Sequence, residues 1–256
     1  MRRILLIGIG TGDPAFVTMQ AVTAINAADA FFVFDKGDDK AELIAVRQAI
    51  LDRYATRKDV SLIAIGNPPR ETNARYLEGV DAWHEARAVL LREAFHRHVP
   101  ADGCGAFLVW GDPAIYDSTL RVVTRALAGM DDAPEIEIVP GISSIQILAA
   151  RHRIGLNDIG EPILVTTGRQ LREQGMPAPG VSVVVMLDGE LACRELLGQG
   201  LTIYWGAALG GPDERLIAGA LDDVIGDIVE ARAKLRKQYG WVMDTYLLRR
   251  PAEPKT

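Results

Sequence analysis

The sequence has only two cysteines, Cys104 and Cys193, far apart and in apolar surroundings. They form neither a C-x-x-C pair nor a disulfide framework, so buried free thiols are expected. Histidine is also scarce: of the four, His96 and His98 are spaced i, i+2 on a helical stretch and point to different faces, which argues against a zinc site. No apolar run approaches the roughly 18 residues that cross a bilayer, so no membrane partner is expected. The stretch Ile4 to Ile9 behind Met1-Arg2-Arg3 is too short for a signal peptide, which predicts a cytoplasmic protein. Basic charge is in deficit, with 28 Lys and Arg against 34 Asp and Glu, a net −6 and a pI near 5.3. That sign excludes a nucleic-acid-coating protein, and any bound anion must be captured locally.

What is present is 256 residues with 48% hydrophobic content, enough for one large core or two smaller ones. The run Ile4-Leu5-Leu6-Ile7 reads as a buried parallel strand ending in Gly8-Ile9-Gly10-Thr11-Gly12-Asp13-Pro14. A helix over 17–27, a strand over 31–34 closing on Asp35, a helix over 40–54 and a strand over 60–65 follow. The helix over 40–54 lines up Leu43, Val46, Ile50, Leu51 and Tyr54 on one face, and a long covering helix spans 74–98. A strand over 106–110 then runs into a second Gly-Asp-Pro turn, Gly111-Asp112-Pro113-Ala114-Ile115-Tyr116. Beyond it the apolar runs at 136–139, 163–166, 181–187 and 202–205 suggest a second sheet. The expected domains are therefore 1–113 and 114–256, both α/β.

The first glycine turn is spaced G-x-G-x-G, not the G-x-G-x-x-G of dinucleotide sites, although Asp35 stands where a ribose-binding acid would. No Gly-Lys-Ser/Thr follows, which excludes a Walker loop. The turn permits a sharp strand-to-helix reversal with Asp13 capping ahead of Pro14. Its recurrence at Gly111-Asp112-Pro113 points further, to a ligand at strand carboxyl ends. A third turn, Val139-Pro140-Gly141-Ile142-Ser143-Ser144-Ile145, is no nucleophile elbow, since Ile145 replaces the final glycine. Ser143 and Ser144 read either as helix caps or as donors facing a cofactor.

These three motifs, in this order, resemble the tetrapyrrole methylase family, and the resemblance extends to Val183-Val184-Val185-Met186 and to 214–221. Phe34-Asp35-Lys36-Gly37-Asp38-Asp39, and Asn67-Pro68-Pro69-Arg70 followed by Trp83-His84, narrow it to members that release acetate. The resemblance implies two α/β domains, each a mostly parallel or mixed sheet flanked by helices, with S-adenosylmethionine in the cleft between them. It also implies a homodimer, no metal, and methylation at C-1 of precorrin-5 with loss of the acetyl group as acetate, leaving S-adenosylhomocysteine. Carried over residue by residue, the cofactor contacts would be Thr11, Trp110, Gly111, Asp112, Ile115, Ser143, Ser144, Met186, Leu209 and Ala220. Thr11 departs from the family's usual proline between the glycines. At Ala220 the hydroxyl of the family's Gly-Thr-Leu is lost.

Methyl transfer from a sulfonium needs positioning more than acid–base help. Deacylation differs, because water must attack the acetyl carbonyl and a base must take its proton, for which Asp13, Asp35 and His84 are the candidates. Each also has a structural reading: helix cap, strand-end acid and polar-face helix residue. Asp112 either holds its loop or meets the cofactor's amino group. Precorrin carboxylates call for arginine, and Arg47, Arg70, Arg75, Arg87 and Lys36 are available, with Arg70, Lys36 and Tyr116 as the substrate-binding candidates. The alternatives are methylation at another precorrin position and a non-catalytic nucleotide-binding module.

Overall fold

Arg3–Gly8 forms β1, whose apolar run suits a strand buried on both faces. Alternation sends Ile4 and Leu6 into one apolar layer, and Leu5 and Ile7 into the layer on the opposite face. Strands β2 (Ala30–Phe34), β3 (Leu62–Ile65), β4 (Cys104–Val109) and β5 (Glu135–Val139) join it in a parallel sheet of order β3-β2-β4-β1-β5. Helices α1 (Met19–Ala27) and α2 (Ala41–Tyr54) cover one face, and α3 (Tyr76–His98) and α4 (Thr119–Leu127) the other. This is a computed structural model that describes residues 1–34, 41–57, 60–66, 68 and 76–250.

Local chemistry sets the helix starts and faces. Thr18 Oγ1 accepts from the Ala21 amide at 3.1 Å and opens α1 two residues later than the apolar pattern suggested. On α2, Ile50 and Leu51 are buried, with Val46 and Tyr54 packed against the same layer. On α3, Leu91 and Phe95 are buried against β2 and β4. Each such side chain contributes about 1.5–3 kcal/mol. Both cysteines are buried free thiols, and burial pushes them up to about 11 at Cys104 and about 12 at Cys193.

The first compact unit runs from Met1 to Ser143 and the second from Ser144 onward. The expected boundary after 113 and the expected second-sheet strand at 136–139 both differ from this. The reason is the α4 crossover, which carries the chain past β1, so that β5 pairs with β1 from Arg3↔Glu135 to Ile7↔Val139.

The second unit opens with α5 (Ser144–His152) and continues through β6 (Ile163–Thr167), α6 (Gly168–Gln174), β7 (Ser182–Met186) and β8 (Thr202–Ala207). Then come β9 (Arg215–Ala220), α7 (Leu221–Tyr239) and β10 (Asp244–Arg249), none of which the apolar runs had marked as an element. The sheet is mixed, in the order β6-β7-β10-β8-β9, with β6 and β7 parallel and the other pairs antiparallel. Its core centres on Trp205 and Tyr246, both fully buried. Asp222 and Asp223 in the first turn of α7, Arg236 and Lys237 in its last, and left-handed Gly240 complement the helix dipole and close the helix.

At one end of this sheet a buried polar cluster replaces apolar packing. Tyr246 donates to Asp188 Oδ2 at 2.6 Å, the Ala192 amide to the same oxygen at 2.7 Å, and Arg232 Nη2 to the Asp188 carbonyl at 2.6 Å. Arg232 Nε lies 3.1 Å from Asp244 Oδ2 in an ion pair that lacks hydrogen-bond alignment, and Trp205 Nε1 donates to that oxygen at 2.8 Å. Burial pushes the Asp244 carboxyl up to about 6, against the pull of Arg232 and Trp205. A carboxyl raised in the folded state stabilises fully below its unfolded value near 4, and that contribution is lost as pH rises through 6. Urea titrations should therefore show the stability of the wild type relative to Asp244→Asn falling by about 2–3 kcal/mol between pH 4 and 7, at about 1.4 kcal/mol per pH unit. A difference that stays constant with pH would contradict this.

Candidate active site

The three glycine turns come together because β4, β1 and β5 are neighbours in one parallel sheet, so their carboxyl ends lie side by side. The backbones there touch. A Cβ placed on Gly141 would stand 2.1 Å from the Gly111 carbonyl oxygen and 2.8 Å from Gly8 Cα, and one on Gly8 would stand 2.5 Å from the Gly141 nitrogen. Gly10 and Gly111 exchange backbone hydrogen bonds, 2.7 Å from the Gly111 amide and 3.3 Å from the Gly10 amide. Gly111 is left-handed (φ 68°), and a Cβ there would meet only Ser143 Cα at 3.9 Å, so the turn is open beside it.

Asp112 ties the loops together. Its Oδ1 accepts from the Ala114 amide at 2.8 Å and its Oδ2 from the Gly141 amide at 2.9 Å, the loop-holding role of the two weighed from sequence. Asp13 accepts from the Ala15 amide at 2.8 Å and caps a short 3-10 turn with Pro14 at its start. Thr11 and Ser143 are buried in this unit, Trp110 and Ile115 are half-buried, and a Cβ on Gly12 would stand 3.3 Å from the Trp110 ring. Tyr116 is 44% exposed in the left-handed region (φ 51°), a strained conformation of the kind that gathers at functional sites.

In the second unit, Ser144 Oγ lies 2.9 Å from Thr245 Oγ1, at the end of the sheet where β7 terminates in Met186 and β8 in Ala207. Leu187 (φ 52°) and Ala208 (φ 50°), which flank the candidates Met186 and Leu209, are also left-handed. Sequence reading missed Thr245, Leu187 and Ala208, because backbone strain and cross-strand pairing leave no motif. Ala220 pairs with Thr202, at the opposite end of β8 from Ala207. Five residues of strand, roughly 17 Å, therefore separate it from the other second-unit candidates.

His84 is buried on α3, its ring 5.3 Å from that of Trp83, and does not occupy a polar helix face. Asp35, Lys36, Arg70 and Arg75 lie outside the described residues. Arg47 donates from Nε to the Leu108 carbonyl at 2.8 Å and from Nη1 to the Leu43 carbonyl at 2.7 Å. Among the described residues, no cluster of His, Cys, Asp and Glu that could hold a metal ion is present, and no helix is long and apolar enough to cross a membrane.

The family profile described as Tetrapyrrole (Corrin/Porphyrin) Methylases matches residues 3–225. A precorrin-6A synthase (deacetylating) of Sinorhizobium sp is 45% identical over 254 residues, which is 99% of this chain and 97% of that protein. The crystal structure of a cobalamin synthesis related protein (CobF) from Corynebacterium diphtheriae superposes with a TM-score of 0.84 at 39% identity, covering 97% of this chain and 98% of that one. A uroporphyrin-III C-methyltransferase from Thermus thermophilus, crystallised with S-adenosylhomocysteine, shares the fold at a TM-score of 0.59 and 20% identity, over 96% of this chain and 92% of its own.

The glycine contact is testable by contrast. Gly141→Ala should lower unfolding free energy in urea by about 1–3 kcal/mol or more, because backbone must give way. Gly226→Ala, on the exposed face of α7 with no atom within 4 Å of the added carbon, should raise it by about 0.5–1 kcal/mol. Equal effects would show that the three backbones are not in contact.

Proposed function

The chain belongs to the tetrapyrrole (corrin/porphyrin) methylases, and on that premise we propose that it methylates C-1 of precorrin-5 and releases the acetyl group as acetate, giving precorrin-6A. The observation that carries the reading is the 45% identity, over nearly the whole of both chains, to a precorrin-6A synthase (deacetylating). A homodimer in the cytoplasm goes with it.

S-adenosylmethionine, when bound, supplies a sulfonium methyl for in-line transfer to an electron-rich ring carbon. The glycine-lined ends of β1, β4 and β5 fit such a group, since the open side of Gly111 lets a ligand approach backbone amides and carbonyls directly. Thr11, Trp110, Gly111, Asp112, Ile115 and Ser143 would hold it at these strand ends, and the family resemblance adds Ser144, Met186 and Leu209 as candidates. With no nucleophilic side chain to activate, the protein's part in methyl transfer is orientation, and Asp112 serves it by fixing two of the three turns on each other.

Acetate release needs a base for water. Asp13 is a candidate base in the first turn, where one of its carboxylate oxygens accepts from the Ala15 amide. Asp35 and His84 remain the other candidates. Incubation with precorrin-5 and S-adenosylmethionine should yield acetate and methylated tetrapyrrole in equal amounts, measured by NMR and mass spectrometry. Methylation without acetate would assign the enzyme to another precorrin position, and S-adenosylhomocysteine binding without any turnover would make it a non-catalytic module.

A further inference from the structure

Strands β2 and β4 pair only as far as Phe32↔Phe107, while β2 continues beside β3 to Phe34 and β4 beside β1 to Val109. The ladder thus opens at the carboxyl ends. It opens where the connections part: α2 leaves β2 on one face of the sheet and α4 leaves β4 on the other. In an open α/β sheet such a crevice is the place for a ligand.

Here it forms a cavity of about 60 Å³, lined by the ends of both strands and by Arg47, Arg87, Asp117 and Ser118. Arg47 has turned Nε onto the Leu108 carbonyl that β2 leaves unpaired. Arg87 is only 2% exposed. Its guanidinium carbon lies 3.7 Å from the centre of the Phe34 ring and 4.3 Å from that of Trp83, and Nη1 donates to Ser118 Oγ at 3.3 Å. Its Nε is buried with no hydrogen-bond partner, and among the described residues no partner is recorded for Nη2 of either arginine. Among the described lining residues Asp117 supplies the one carboxylate, and its Oδ1 is engaged by the Thr119 amide at 2.6 Å.

We propose that this crevice is a subsite for one carboxylate side chain of the polycarboxylate tetrapyrrole, gripped by Arg87 with Arg47 behind it. The inference rests on the function proposed above. The charge fits, because among the described lining residues two guanidiniums and one carboxylate leave a single positive charge to be met by a monoanion. So does the size, since the cavity has ample room for a carboxylate head beside the two guanidiniums. Burial lowers Arg87 to about 10 against the opposing pull of Asp117, a cost that a second anion would relieve. The location fits too, because Val109 lines the crevice and leads directly into Trp110-Gly111-Asp112.

The test compares wild type with Arg87→Gln and Arg87→Lys, using uroporphyrin III as an eight-carboxylate probe followed by fluorescence quenching. Thermal melting and S-adenosylhomocysteine titration serve as the integrity readouts. Arg87→Gln should weaken uroporphyrin binding by about tenfold to a hundredfold, as loss of charge-assisted bonds to a carboxylate would, and leave S-adenosylhomocysteine affinity within twofold. Arg87→Lys should fall between, because it keeps the charge and loses the fork. A folded Arg87→Gln protein that binds uroporphyrin as wild type does would overturn the proposal. If the variants do not fold, the Nε–H resonance of Arg87 in wild-type protein labelled with ¹⁵N-arginine decides. A shift on adding uroporphyrin supports the subsite, whereas no shift at saturation, or a shift with sodium acetate alone, overturns it. Failure to release acetate from precorrin-5 would refute the proposed reaction and leave this comparison readable.

Discussion

The contact on which the first unit depends is backbone against backbone at Gly8, Gly111 and Gly141. Three parallel strands deliver three turns to one edge, and any Cβ at Gly8 or Gly141 would force those turns apart. Close approach explains the glycines at Gly8 and Gly141, while the left-handed backbone explains Gly111. Once the turns are that close, a single carboxylate, Asp112, can accept from amides on two of them. Rigidity at this edge therefore comes from the absence of side chains and one charge-assisted link, and it costs the site nothing in open space beside Gly111.

The second unit reaches the same end by other means. Where β7 and β8 stop and β10 starts, hydrogen bonds to Asp188 and Asp244 hold strands, loop and α7 together. A Cβ on Gly168 would stand 2.3 Å from Asp188 Cγ, so glycine is required again, here to admit a carboxylate and not a backbone. The left-handed residue Leu187 directly precedes Asp188, and left-handed Ala208 is tied by its amide to the Met243 carbonyl just before Asp244.

How much of this was legible in the sequence follows from which interactions are local. Strand-to-glycine-turn units announce themselves in a few consecutive residues, so β1 and β4 and the turns behind them could be read, and β2 as an apolar run. The membership of β5 could not, because a crossover places it beside β1, more than a hundred residues away in the chain. β9 escaped because Arg215–Ala220 ends in Ala, Gly and Ala, which are poor strand formers, and β10 because Asp244–Arg249 begins and ends in charged residues. Asp13 and Asp112 were legible as turn residues, and both do cap or tie turns. Thr245, which meets Ser144 across a hundred residues, carries no motif at all.

The charge of the chain shows the same division between what composition states and what folding arranges. A net −6 describes the whole chain, yet it says nothing about a crevice whose described lining holds two guanidiniums and one carboxylate. Arg47 and Arg87 are forty residues apart and arrive from helices on opposite faces of the sheet. They meet only because β2 and β4 stop pairing after Phe32 and Phe107. Burying a cation between Phe34 and Trp83 recovers part of its lost hydration through the ring faces and leaves in-plane donors unspent. An acidic protein can thus hold a polyanion without a basic surface, by keeping its few usable cations inside the fold, where water does not screen them and each anionic contact counts for more.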